Sequence, residues 1–222
     1  MKYKFRLIAS LLCLVVIPSC WAQQSNIVGT SVILSDSDKE EFTTRIKQKI
    51  DDFQKYLEVI GGKHNYSSEI KDEYTTFALN LFIGEGDDYY EYVATPYGDQ
   101  QRLHAAVKMQ TTSKSRGKNP PQPMKRYLSR LRQLNYDKIE VTQADAVRVD
   151  NIQKAADGKY IAVAYMCQRF IGYRDGIPVI DDYDIKKITV YINQVAYQVP
   201  GQEENIVIWE AKLGDVMAHE SW

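Results

Sequence analysis

The stretch YIAVAYMCQRFI, residues 160–171, decides how this chain folds. Ile161, Val163, Tyr165, Phe170 and Ile171 are β-branched or aromatic residues of the kind that favour a pleated, extended backbone. Polar interruption is slight, so the stretch reads as a long strand, central in its sheet and covered on both faces. Asp157-Gly158 before it and Arg174-Asp175-Gly176 after it have hairpin-turn composition. Working outward, a period of two recurs on either side. Ile139 and Val141 alternate with charged residues, as do Val147 and Val149, and Ile188, Val190 and Ile192 alternate with Lys187, Thr189, Tyr191 and Asn193. A last strand is expected over Asn205 to Leu213, with Trp209 inside it.

Upstream the period is helical. Phe42, Ile46, Ile50, Phe53, Leu57 and Ile60 follow at spacings of 4, 4, 3, 4 and 3, one apolar stripe. Ser37-Asp38-Lys39-Glu40 has the form of a capping box at its start, and Gly61-Gly62 ends it. A second helix is expected from Ser67 or Ser68, with Ile70, Tyr74, Phe77, Ala78 and Leu81 on its apolar face and Gly84 and Gly86 closing it. Tyr89 to Val93 reads as a short strand, residues 95–99 as a turn, and Leu103 to Thr112 as another strand. Residues 114–123 hold Gly117, Pro120, Pro121 and Pro123 and read as a loop. A third helix carries Met124, Tyr127, Leu128, Leu131 and Leu134 on one side.

Helices come first and hairpin-joined strands follow, so the fold class is α+β: N-terminal helices packed on a mostly antiparallel sheet. The total of 222 residues suits one domain with a leader. The order of elements, with the Tyr127-Leu128…Leu131…Leu134 helix leading into long strands that end near Trp209, resembles the nuclear-transport-factor-2-like (NTF2-like) superfamily. The resemblance covers about residues 36–216, leaves 217–222 as a tail, and implies a cone-shaped α+β domain. In enzymatic members an acid/base His or Asp lines the open cone beside Tyr or Trp. The resemblance therefore implies His104 as candidate base, with Tyr165, Tyr191 and Trp209 as candidate ligand-binding residues. An aromatic core with a surface histidine is the alternative.

Residues 1–22 have the parts of a secretory signal peptide: Lys2, Lys4 and Arg6, then the apolar run Leu7 to Ile17, then Pro18 and the small Ala22. The apolar run is shorter than the roughly 20 residues a spanning helix needs. Cleavage after Ala22 is expected, with 23–35 as a connecting segment. Ile17-Pro18-Ser19-Cys20 also resembles a bacterial lipobox, which would make Cys20 a lipidated first residue. Either way the protein is expected to be exported, periplasmic or extracellular, and in the lipobox alternative it is membrane-anchored through Cys20. Cys13 lies in the leader, so Cys167 is left alone in the body, where an apolar strand makes it a buried, inert thiol.

The chemistry expected is modest. His64, His104 and His219 have no histidine partner at metal-ligand spacing, and there is no Cys pair, so no metal and no cofactor is expected. Asp175, Asp181, Asp182 and Asp184 around one hairpin read either as oxygen ligands or as a solvated turn. There is no Gly-x-Ser-x-Gly elbow and no glycine-rich phosphate loop. Against 28 Lys plus Arg stand 29 Asp plus Glu, and removing the leader leaves 25 basic residues, so no nucleic-acid partner is expected.

The charges are segregated, however. Lys108, Lys114, Arg116, Lys118, Lys125, Arg126, Arg130 and Arg132 form a basic block, and Glu69, Asp72, Glu73, Glu85, Asp87, Asp88 and Glu91 an acidic one. Such segregation suits either an anionic partner, an envelope protein or acidic glycan, or a solvated surface. The 16 tyrosines suit a half-wet binding surface or an exposed sheet. The resulting expectation is an exported, non-catalytic binding module of the cell envelope. The alternative is a small-molecule enzyme or carrier that uses the cone with His104.

Overall fold

The computed structural model describes residues 35–62, 66–95, 98–113, 117–143, 145, 147–155, 159–198 and 205–221. The leader with Cys20, His64, Lys114, Arg116 and the Asp157-Gly158 turn lie outside the described residues.

Helix α1 (Asp36–Gly61) buries all six residues of its apolar stripe. Its capping box sits two residues earlier than expected. Ser35 Oγ accepts from Asp38 N at 3.1 Å, and Asp38 Oδ2 accepts in return from Ser35 N at 2.8 Å. Two Ser-x-x-acid frames overlap here, and the earlier one gains half a turn of helix while leaving Glu40 free. At its other end Gly61 lets α1 approach the sheet closely, because a Cβ there would lie 2.3 Å from Ile139 Cδ1. Helix α2 (Ser68–Asn80) starts behind the cap Ser67. Its apolar stripe is turned partly outward: Lys71 and Ala78 are buried, whereas Ile70 and Phe77 are exposed.

Strands β1 (Tyr89–Thr95) and β2 (Gly98–His104) form a separate two-stranded sheet. The strand expected over Leu103 to Thr112 is broken into β3 (Lys108–Met109) and β4 (Thr112–Ser113). Side chains have taken the backbone donors that a ladder would use. Asp88 Oδ1 accepts from Ala106 N at 2.7 Å, and Asp215 Oδ1 accepts from Lys108 N at 2.8 Å. The region read as a loop holds two short pieces, β5 (Gly117–Lys118) and β6 (Gln122–Pro123). Helix α3 (Met124–Arg132) buries Met124, Tyr127, Leu128 and Leu131, but it ends before Leu134, which is exposed.

The main sheet is built from β7 (Lys138–Gln143), β8 (Arg148–Lys154), β9 (Tyr160–Arg174), β10 (Ile177–Gln198) and β11 (Asn205–Ser221). Its order is β6-β3-β11-β10-β9-β7, with β8 pairing the first half of β9. All these pairs are antiparallel except β3 with β11, so the sheet is mixed and mostly antiparallel, with the N-terminal helices packed on it. Asp175 and Gly176 join β9 to β10 at φ of 51° and 74°, the left-handed pair of a type I′ hairpin, as their sequence suggests. Residues 214–221 extend the last strand well past Leu213, so it includes residues 217–221.

Coverage of β9 on both faces is corrected by the structure. Tyr160, Ala162, Ala164, Met166 and Gln168 are buried, while the residues between them are half-exposed. The buried set aligns across register with Ile192, Val190, Ile188, Lys186 and Asp184 of β10 and meets the α1 stripe. The three α-helices among the described residues cover one side, so the sheet keeps a helix face and a solvent face. Phe53 stands at the centre of the helix face, fully buried and edge-on to Phe82 with centroids 5.0 Å apart. Replacing Phe53 with Ala removes this ring from a filled layer and should destabilise the fold by about 3–5 kcal/mol in urea unfolding. A loss below about 1 kcal/mol, typical of a surface position, would contradict the packing described.

Candidate functional site

His104 lies opposite Tyr89 at the open end of the β1–β2 hairpin. The Tyr89 ring lies parallel on the imidazole, with centroids 5.1 Å apart. His104 Nε2 is 2.8 Å from Glu91 Oε2, close enough for an ion pair with a protonated ring but without the alignment of a hydrogen bond. Lys159 pairs with the other oxygen of Glu91. The Tyr89 hydroxyl shares a hydrogen bond with that of Tyr191 on β10. Burial, aided by Tyr191 and the negative charges of Glu91 and Asp215, pushes the Tyr89 phenol up to about 12, and burial also raises Tyr191. His104 and Tyr191 thus come together through Tyr89, but His104 is engaged within the hairpin and Tyr191 fastens the hairpin to the sheet.

Tyr165 lies elsewhere, on the solvent face of β9. Its cross-strand neighbours are Arg148 on β8 and Lys187 on β10. The Arg148 guanidinium stands over the ring, 5.1 Å from its centroid, and Asp150 holds Arg148 at 3.0 Å. His219 of β11 meets the ring at 5.3 Å, and Lys118 Nζ donates to the His219 carbonyl at 2.8 Å. Four strands therefore bring Lys118, Arg148, Lys187 and His219 around one tyrosine. Toward Tyr160 on the same face lies an open depression of about 280 Å³, lined by Gln153, Lys154, Ala155, Ile161 and Val163. It forms where a bulge between Asp150 and Gln153 shifts β8 against β9. Farther along, Arg169 lies over Tyr183 and bonds both oxygens of Asp181, at 2.8 and 2.7 Å. Cys167 sits between these groups, half-exposed, with its thiol pushed up by burial, so it is a poor nucleophile.

Trp209 belongs to neither cluster. It packs edge-on to Phe42 and Tyr160, at 6.2 and 5.5 Å, on the helix face. The basic block is dispersed as well. Lys125 pairs with Asp87 at 2.5 Å, and Arg132 pairs with Asp72 and also donates to Ser68 Oγ. These contacts join the basic block to the acidic one and tie α3 to α2 and the turn after it. Arg130 donates to Gln122 Oε1 at 2.7 Å, and Arg126 is exposed on the helix. Of the patch residues described, Lys118 reaches the Tyr165 cluster.

A polar pair in the core escaped the sequence reading. Lys186 and Asp184 are both buried on the helix face; the ammonium donates to Asp184 Oδ2 and, at 2.8 Å, to the Gln110 carbonyl. Burial pulls the lysine below its ordinary value despite Asp184 beside it. Burial, then the charge of Asp184, raises the Tyr127 phenol. A signal was present: Lys186 and Asp184 continue, two residues at a time, the buried phase of Ile192, Val190 and Ile188. The acidic residues of this hairpin diverge rather than converge on an ion. Asp184 faces the helices, Asp181 faces Arg169, and Asp175 sits in the turn. Among the described residues no group of three His, Cys, Asp or Glu side chains gathers to hold a metal, and no helix is long and apolar enough to cross a membrane.

The raised Tyr89 phenol gives a test of the hairpin joint. Between pH 10 and about 12 the folded chain keeps this proton while the unfolded chain loses it. Its contribution to stability is therefore complete below pH 10 and disappears as pH rises through 12. Wild type should lose more stability than Tyr89→Phe across this window, by less than about 3 kcal/mol because solvent partly screens the ring. Equal losses in alkaline urea titrations would place Tyr89 in water. No protein-family model matches the chain, and no curated protein or solved structure shows significant similarity to it.

Proposed function

We propose that the protein is an exported, non-catalytic binding module of the cell envelope, an NTF2-like cone whose partner docks on the solvent face of the sheet. One observation carries this reading. The helix face is filled by Ile46, Ile50, Phe53, Leu57, Leu128 and Met166, whereas the opposite face gathers cations around Tyr165 beside an open depression. A filled interior leaves little room for a small molecule between helices and sheet. Half-exposed tyrosines with adjacent cations suit recognition of an acidic partner, an envelope protein or acidic glycan. The signal-peptide pattern of residues 1–22 supports export, with Cys20 as the anchoring alternative.

The enzymatic alternative rests on His104. It has weaker support, because the imidazole is stacked on Tyr89 and placed against Glu91 within the hairpin. Immobilised protein exposed to envelope extract should retain an acidic component at low salt and release it at moderate salt. Arg148→Glu combined with Lys187→Glu should retain about tenfold less, as expected for the loss of two cation contacts. Retention of nothing at either salt, or equal retention by the variant, would refute the reading.

A further inference from the structure

We infer that two copies of the protein pair through the outer edge of β11, antiparallel about Val207, and so form a twofold dimer with one continuous sheet. This dimer is independent of the binding-module reading, which neither needs it nor follows from it.

The β10–β11 hairpin outruns the rest of the sheet. β9 begins at Tyr160, opposite Ile192, so residues 193–198 of β10 pair with β11 alone among the described residues. A two-stranded ribbon is marginal by itself and gains from further strands. This one also carries apolar side chains on its outside. Ile206, Ile208 and Tyr197 are 47%, 42% and 42% exposed, and register sets Ile206 against Tyr197 and Ile208 against the half-buried Val195.

Existing contacts fix which backbone groups face outward. Leu213 N donates to the Leu81 carbonyl at 2.8 Å, on the side of β11 away from β10. From Leu213 back to Asn205 the register against β10 runs without a shift, and alternate residues of an antiparallel strand turn both N–H and C=O to one edge. Asn205, Val207, Trp209 and Ala211 therefore face the same outer edge as Leu213. Arg45 Nη1, 3.5 Å from the Trp209 carbonyl, agrees with this placement. Among the described residues no strand pairs with these four on that side.

Other exposed edges are blocked. β8 is bulged between Asp150 and Gln153 and carries Arg148, Asp150 and Lys154, and on β7 Glu58 Oε1 takes the Val141 N–H at 2.7 Å. Charges, bulges and covers are how sheets resist added strands. The edge from Asn205 to Trp209 has no charge, proline or bulge. Its one cover among the described residues is the long Arg45 contact, and Arg45 also pairs with Glu41.

A second copy fits this edge because the edge is complementary to itself. With the twofold at Val207, Asn205 lies opposite the partner's Trp209, Val207 opposite the partner's Val207, and Trp209 opposite the partner's Asn205. All are outward-facing, so each pair exchanges two main-chain hydrogen bonds. Between them Ile206 meets the partner's Ile208 and the reverse, two apolar pairs on one face. Moving the twofold to Ile208 or Trp209 sets Ile206 against Glu210 or Lys212 instead. Five paired residues span about 17 Å and bury less than the roughly 1,200 Å² of a stable complex, so the dimer is a weak one.

Sedimentation equilibrium of the full chain, and of a chain starting at Gln23 that keeps every described element, tests this. Both should show a monomer–dimer equilibrium with Kd of about 1–100 μM. Val207→Pro removes an outward N–H and leaves the bonds to β10 in place, so it should weaken the dimer at least about tenfold with an unchanged melting temperature for the monomer. Ile206→Lys, at an exposed side chain, should weaken it similarly and carries the test if the proline unfolds the chain.

A Gln23 chain that stays monomeric at about 1 mM overturns the inference. So does a dimer that Ile206→Lys leaves unchanged, because another surface then holds it. Dimers of the full chain alone would assign association to residues 1–22 and overturn it as well. Growth of the Gln23 chain beyond dimers would contradict twofold closure.

Discussion

The stripe that α1 lays across alternate residues of β9 and β10 constrains the rest of the molecule. Phe42, Ile46, Ile50, Phe53, Leu57 and Ile60 meet Tyr160, Ala162, Ala164 and Met166 on one strand and Ile188, Val190 and Ile192 on the next. Small alanines at the crossing leave space for the phenylalanine and isoleucines of the helix, which is how a close-packed layer forms without strain. Once this face is closed, β9 has one phase of side chains left to present. Those are Ile161, Val163, Tyr165, Cys167 and Arg169, all half-exposed. The proposed binding surface is the remainder that helix packing leaves on the sheet.

Much of the framework was legible in local patterns. Every residue of the α1 stripe that its spacing identifies is buried, and Asp175-Gly176 identifies its hairpin, because each signal lies within a few residues. The run from Tyr160 to Ile171 was harder. Its polarity is low on both faces, so composition pointed to a strand covered twice, and only the placement of the helices showed that one side stays half-wet. Alanines and tyrosines blur the alternation that charged residues would have made plain.

The site was less legible because register builds it. Arg148, Tyr165, Lys187 and His219 lie on four strands, and nothing local in the sequence ties one to another. From sequence Tyr165 reads as a ring lining a cavity, not as a platform on the outside. Tyr191 and Trp209 read as its companions, although Tyr191 helps fasten the β1–β2 hairpin and Trp209 packs against α1. The charge blocks teach a similar lesson. Their segregation along the chain suggested a surface field, yet Asp72 with Arg132 and Asp87 with Lys125 join the blocks to each other. Exposed pairs of this kind add little stability individually. Their consequence is to reduce the free positive charge on α3 and leave the cations near Tyr165 as the better candidate for an anionic partner.

The central claim is that the helix face is closed and binding takes place on the solvent face. Backbone amide shift mapping during titration with an acidic polysaccharide tests it most directly. The account predicts shifts concentrated at Arg148, Gln153, Ile161 to Tyr165, Lys187 and His219, with α1 and the Asp184–Lys186 pair unmoved. Shifts centred on Asp184, Lys186, Tyr127 and the inner residues of α1 would contradict it, because they would place the ligand between the helices and the sheet.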